Sequence, residues 1–293
     1  MLDYPLIAAL AAVIREGSFE KAARSLHLSP SAVSQRVKLL EQRLGQVLVV
    51  RDNPCRATPA GLQLCRHAEQ VSLLERELLA SLPQTGQGRP GHLRLAVNAD
   101  SLSTWFVPAA IALAGQDWLL DLSMDDQDHT AERLREGDVL AAVTALADAL
   151  PGCRSLALGC MDYLAVATPT FIARHFGDGL GLGALMQAPC LSYNRRDQLQ
   201  SRWVRQLTGE SPPLPNHWLP SNDVYLAACR NGIGWGMCPR ELVRAELDRG
   251  SLQALSAEVL EVPLYWQAPA QAWALLEPVT QAVVEAARQG LRR

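Results

Sequence analysis

Two glycines that suit helix ends, Gly17 and Gly45, bracket a stretch in which Ser18 and Ser29 are each placed to open a new helix. No other feature constrains the chain as much. A serine at an N-cap accepts a hydrogen bond from a backbone N–H two or three residues on. Ser18 therefore starts a helix whose apolar face is Phe19, Ala22, Ala23 and Leu26. His27-Leu28-Ser29 makes a short break, and Pro30 suits the first position of the next helix. That helix carries Val33, Val37, Leu40 and Leu44 on one side and ends at Gly45. An amphipathic helix over residues 4–15, with Leu6, Ile7, Leu10, Val13 and Ile14 at helical spacing, precedes both. Two short helices, a three-residue turn and a longer helix describe a helix-turn-helix, and the small Ala22-Ala23 pair permits its close crossing.

The outer face of the third helix gives this motif a chemistry. Ser31, Ser34, Gln35 and Lys38 lie opposite Val33, Val37 and Leu40, next to Ser29 and Pro30 at the helix start. Serine and glutamine hydrogen-bond phosphates and base edges, and a lysine neutralises a phosphate. Residues 46–51 read as a strand, Asp52-Asn53-Pro54 as a turn and residues 55–58 as a returning strand. This wing places Arg51 and Arg56 to reach a DNA backbone or minor groove. Charge agrees in sign: the first 58 residues carry +3 and the remainder −6, within a net charge of −3. A basic head on an acidic body fits a nucleic-acid module joined to something else.

Thr58 and Pro59 open a further helix that runs to about Leu82. Its apolar positions Leu62, Val71, Leu74 and Leu78 suit pairing with a second copy of the chain. Residues 83–91 are rich in proline and glycine with no apolar side chain, which marks a domain boundary. Beyond it, residues 92–97, 118–124 and 139–145 read as strands, with helices from about Ser101 and over 130–136. An apolar run, 154–168, leads into a second set. There helices are expected near 171–176, 198–207 and 223–231, with strands near 188–193, 217–221 and 232–238. Such alternation implies an α/β fold with largely parallel sheets, which bind ligands at the carboxyl ends of their strands.

Several classes are excluded. The opening residues lack the basic and apolar regions of a signal peptide, and no stretch approaches the roughly 20 apolar residues of a membrane span. Seven scattered cysteines with no C-x-x-C pair, and six histidines without ligand spacing, argue against a disulfide framework and a metal site. No nucleophile elbow, P-loop or dinucleotide fingerprint is present, so neither a catalytic constellation nor a cofactor is expected. Cys190, at a strand end, has no visible setting that would lower a thiol pKa.

Polar groups do gather at the expected strand ends. Asp100-Ser101 follows the first strand and opens a helix, whose N–H groups and hydroxyls, with Ser103, are read as a place for an anion such as an α-carboxylate. Asp125-Asp126-Gln127-Asp128 ends the next strand, where three carboxylates repel one another unless solvent or a cation compensates them. A solvated loop and a pocket for a cationic ligand both fit that cluster, with Asp126 the leading contact in the second case. Thr144, Tyr193 and the helix start Asn222-Asp223 are the residues expected to complete a cleft.

Taken together, Phe19-x₂-Ala22-Ala23-x₂-Leu26-x-Leu28-Ser29, Ser31-Ala32-Val33-Ser34-Gln35, Leu40-Glu41-x₂-Leu44-Gly45 and Thr58-Pro59-x-Gly61 resemble the head and linker of LysR-type transcriptional regulators. Asn98-Ala99-Asp100-Ser101-Leu102-x-Thr104-Trp105, Ala131-Glu132-Arg133-Leu134-Arg135-x-Gly137 and Asp162-Tyr163-Leu164 are similar to the arginine- or lysine-responsive ArgP branch, which includes activators of amino-acid exporters. The resemblance covers the whole chain. It implies an N-terminal all-α winged helix-turn-helix (1–58), a dimerising linker helix and hinge (59–91), and an effector domain (92–293). That domain would have two subdomains like those of periplasmic binding proteins, 92–165 with 267–293 and 166–266. The chain would cross between them near Ala165–Thr168 and Tyr265–Gln267. A basic amino acid between the halves, an operator in double-stranded DNA and a cytoplasmic homodimer or homotetramer follow from it, with RNA polymerase as a further partner. An effector-independent or nucleoid-type DNA binder, and an enzyme with a DNA-binding head, are the competing readings.

Overall fold

The computed structural model describes residues 2–81, 91–116, 118–125, 130–136 and 138–293. Its first three helices are α1 (Tyr4–Glu16), α2 (Phe19–Ser25) and α3 (Pro30–Leu44). The caps act as their residue types dictate: Ser18 Oγ accepts from Lys21 N and Ser29 Oγ from Ala32 N. Gly17 and Gly45 both end helices in the left-handed region, at φ 68°. Ile7, Leu10, Val13, Ala22, Val33 and Val37 meet in one buried core.

The wing is shorter than expected. Only β1 (Val49–Val50) and β2 (Arg56–Ala57) pair, antiparallel. Upstream, the Glu41 carboxylate accepts from the N–H groups of Leu48 and Val49, and Thr58 Oγ1 donates to the Val47 carbonyl. Side chains thus take hydrogen bonds that a longer strand would have used. Thr58 Oγ1 also accepts from Gly61 N, near the start of α4 (Pro59–Ser81). A Cβ at Gly61 would run into the carbonyl oxygen of Leu48, where the helix presses on the wing. In an open helix, glycine to alanine stabilises by up to about 1 kcal/mol. Here Gly61→Ala is expected to destabilise the head by about 1–3 kcal/mol, as overpacking does. Thermal melting of the full chain followed by helical signal checks the sign.

The second unit continues β3 (Gly91–Asn98), α5 (Ala99–Ser103), α6 (Val107–Ala114), β4 (Trp118–Asp125), α7 (Thr130–Glu136), β5 (Ala141–Thr144) and β6 (Cys153–Ala167). Then come α8 (Pro169–His175), α9 (Leu182–Leu185), β7 (Cys190–Ser192), α10 (Leu199–Thr208), β8 (Asn216–Trp218) and α11 (Asn222–Arg230). The chain closes with β9 (Trp235–Pro239), α12 (Arg240–Asp248), β10 (Gln253–Pro269) and α13 (Glu277–Gly290). One sheet in the order β4-β3-β5-β10-β6-β9-β7-β8 carries them all. Its flanks are parallel, as alternation requires, but the central β5-β10, β10-β6 and β6-β9 pairings are antiparallel. The centre departs from the largely parallel expectation because β10, a long strand that alternation does not announce, runs antiparallel between β5 and β6. Pro263 interrupts its sequence pattern, yet lies outside the short stretch, Tyr265–Gln267, over which β10 pairs with β5.

β6 and β10 pair from Cys153 and Pro269 up to Leu164 and Val259, and again at Ala167 and Gln253, joining the two flanks. From Tyr163 to Val166, β6 also pairs with β9 on the second flank, a stretch that overlaps the expected crossing near Ala165–Thr168. Tyr265–Gln267 pairs with β5 on the first flank. Trp203, Trp235 and Trp266 are fully buried in the main core. The linker helix meets this unit through an ion pair, with Arg94 Nη2 of β3 at 2.5 Å from Glu69 Oε1 of α4. Burial pushes the Glu69 carboxyl up while Arg94 draws it back down. Among the described residues no helix is long and apolar enough to cross a membrane.

Candidate DNA-binding face and ligand cleft

The helix-turn-helix presents the polar face that its spacing implies. Ser29, Pro30, Ser31, Gln35 and Lys38 are exposed and Ser34 half-buried, opposite the buried Val33, Val37 and Leu40. Ser29 Oγ, besides capping α3, lies 3.0 Å from Ser31 Oγ. Arg56 is exposed on β2. The exposed Arg51 rests its guanidinium over the Phe19 ring, 5.0 Å from the centroid, which holds it beside α2.

A cleft of about 750 Å³, counted to its open mouth, lies where the ends of β3, β7 and β9 face one another. The first flank supplies Asn98, Ala99 and Asp100, and the second supplies Tyr193, Asp197 and Asn222. Asp100 Oδ2 accepts from the Tyr163 hydroxyl at 2.6 Å, and its Oδ1 accepts from Asn222 Nδ2 at 3.3 Å. Asn222 Nδ2 also donates to Ser103 Oγ at 2.8 Å, so one side chain of α11 ties both residues of α5. Burial pushes the Asp100 carboxyl up to about 6, with the Asp197 charge adding to the effect and the Tyr163 and Asn222 hydrogen bonds opposing it. The Asp197 carboxylate is held by its own loop: Oδ2 accepts from Tyr193 N and Gln200 Nε2, and Oδ1 from Leu199 N. Arg196 and Arg202 line the same wall.

Of the residues expected from sequence, Asp100, Tyr193 and Asn222 line the cleft, and Ser103 reaches it through Asn222. The others do not assemble there. Ser101 is buried and its Oγ accepts from Trp105 Nε1, so the hydroxyl serves the core. Thr144 is buried with its Oγ1 accepting from Leu146 N, and Asp223 is exposed on α11; neither is in the lining. Asp126 lies outside the described residues. The start of α5, read from sequence as a place for an anion, has a different electrostatic setting. That helix is one short turn carrying a buried carboxyl, which repels an anion and favours a cation.

Asn98, Asp197, Arg196 and Arg202 were missed. A signal did exist: Asn194-Arg195-Arg196-Asp197 sits between a strand and a helix, in the same position as Asn98-Ala99-Asp100. Cys190 is buried, its Sγ donates to Asn216 Oδ1 at 2.8 Å, and burial pushes its thiol up to about 12, an inert setting rather than a redox-sensing one.

A helix-turn-helix with a polar outer face, joined by a long helix to an α/β unit with a charged cleft, defines a DNA-binding regulator with a ligand domain. Residues 5–62 match the bacterial regulatory helix-turn-helix protein model of the lysR family, and residues 86–292 match the LysR substrate binding domain; the chain belongs to the LysR family. It is 46% identical over 295 residues to the transcriptional regulator LysG of Mycobacterium tuberculosis, covering 100% of this chain and 95% of that one. The crystal structure of ArgP from Mycobacterium tuberculosis superposes with a TM-score of 0.84 at 45% identity, covering 100% of this chain and 99% of that one. Full-length LysG from Corynebacterium glutamicum with bound effector Arg superposes with a TM-score of 0.72 at 38% identity, over 100% of both chains. The chain is thus a transcriptional regulator, like its relatives, and not an enzyme.

Proposed function

We propose that this regulator binds arginine or lysine in the cleft and that occupancy controls how a dimer engages operator DNA. The observation that carries this reading is a pair of carboxylates, Asp100 from one flank and Asp197 from the other, facing one cleft. A desolvated guanidinium or ammonium needs such partners. Arg196 and Arg202, on the Asp197 side of the cleft, suit the α-carboxylate, reversing the orientation that the sequence suggested. The arginine named in the Corynebacterium glutamicum structure supports the same ligand class. The organisation proposed is a head over 1–58, linker 59–91 and effector domain 92–293. Two copies would pair through α4, in a cytoplasmic dimer or tetramer that works with RNA polymerase on double-stranded DNA.

Calorimetric titration with arginine, lysine, leucine and glutamate tests the ligand. Binding of a basic amino acid alone, raising the unfolding free energy by RT ln(1 + [L]/Kd) and with it the melting temperature, is expected. Binding of neither basic amino acid overturns the reading. On the DNA side, Lys38→Ala is expected to weaken all sequences alike and to lower the salt slope by about one. Gln35→Ala is expected to cost about 1–3 kcal/mol of discrimination at one base position. Fluorescence anisotropy against the operator and a scrambled duplex, over a salt series, separates the two effects.

A further inference from the structure

Asn98 ends β3 and occupies the N-cap of α5, with φ −66° and ψ 152°. An asparagine in that position ordinarily turns its carboxamide onto the helix and accepts from an N–H two or three residues on. Here it makes no cap hydrogen bond. The residue is only 2% exposed, lines the cleft two positions before Asp100, and its Oδ1 has no hydrogen-bond partner among the described residues. A buried carbonyl acceptor left unpaired destabilises the fold that contains it. The local backbone offers the usual remedy and the side chain does not take it.

We propose that Asn98 is a specificity-determining residue whose Oδ1 accepts a hydrogen bond from the cationic end of the bound amino acid. This rests on the cleft being a basic-amino-acid site. The two carboxylates supply charge, and part of their acceptor capacity is already taken. Asp100 accepts from Tyr163 and Asn222, and Asp197 from Tyr193, Leu199 and Gln200. An ammonium carries three donors and a guanidinium five, so each needs acceptors beyond the carboxylate that balances its charge. The Asn98 carbonyl is the acceptor left over, beside that charge. A site built to receive N–H groups discriminates against an analogue that lacks them, because the acceptor then stays unpaired. Asn98 thereby separates lysine and arginine from apolar side chains of similar length.

The test compares full-length wild type with Asn98→Leu, which keeps the branching, is somewhat larger and lacks the acceptor. Calorimetry measures arginine and lysine, and displacement of arginine measures norleucine, which has lysine's chain without its ammonium. The variant is expected to melt, ligand-free, at or above wild type, and to bind both basic amino acids at least tenfold more weakly. Its preference for lysine over norleucine is expected to narrow by the same factor. An unchanged preference overturns the role of Asn98, whatever the absolute affinity, because general damage to the cleft lowers both ligands together. Unchanged affinity for both basic amino acids also overturns it and leaves the amide to water. Should Asn98→Leu not fold, Asn98→Ala removes the same acceptor without adding branches and is read by the same criteria. Wild-type protein that binds neither basic amino acid overturns the cleft reading itself, which separates that failure from failure at Asn98.

Discussion

Asp100→Asn is expected to weaken arginine and lysine binding by about a hundredfold or more, the largest ligand effect of any single substitution in the cleft. Removing one partner of a buried charge pair costs about 2–5 kcal/mol, mostly because the other charge is left uncompensated. The same carboxyl gives the effect a pH signature. With its titration point raised to about 6, ligand-free Asp100 holds a proton under mildly acidic conditions. That contribution to stability is fully present below about pH 4 and is lost as pH rises through about 6. A cationic ligand needs the opposite form. Wild-type affinity is therefore expected to be about tenfold lower at pH 5 than at pH 7, with proton release on binding at the acidic end. Calorimetry in two buffers of different ionisation enthalpy measures both quantities. In Asp100→Asn the pH dependence should flatten. A wild-type affinity constant across this range would contradict the placement of the cation at Asp100.

Leu74→Asp is expected to have the largest effect on DNA. Leu74 stands on α4 with 52% of its surface exposed, an apolar side chain uncovered in the single chain. A carboxylate there would be buried without a partner in a helix-to-helix seam. One winged head covers about 600–1,000 Å² of DNA, too little for tight selective binding, and two heads need a fixed spacing to read two half-sites. The substitution should convert a dimer to a monomer in sedimentation velocity and lower operator affinity at least a hundredfold. The isolated chain should keep its helical content, since Leu74 packs little within it. A monomeric variant that still bound the operator tightly would refute the dimer through α4.

The head was legible because its instructions are local. Ser18, Ser29, Gly17 and Gly45 act on neighbours within a few residues, and Val33, Val37 and Leu40 repeat at helical spacing. The flanking parallel strands were legible for the same reason. The centre of the sheet was not, because β10 carries Pro263 and its pairing with β6 joins residues about a hundred positions apart. The cleft was half legible. Asp100, Tyr193 and Asn222 were found by asking which polar residues end strands or open helices. The same question could not show that Ser101 turns inward to Trp105, nor that Asp197 faces Asp100 across the sheet. Side-chain direction after a tight turn depends on what packs behind it. Ser101 and Thr144 are both buried, which their own polarity does not announce.

β3 is eight residues long and carries an ion-paired arginine at its middle and a cleft residue at its end. Arg94 reaches Glu69 on the linker helix, and Asn98 stands at the mouth of the cleft. At about 3.3 Å per residue the two are roughly 13 Å apart along one strand that is paired on both sides and stiff in the direction of its axis. Such a strand is stiff enough that an axial movement imposed at Asn98 would reach Arg94 little diminished. Were two copies joined through α4, as proposed above, the ion pair would pass a displacement in the cleft to both linker helices and so to the spacing of the two heads.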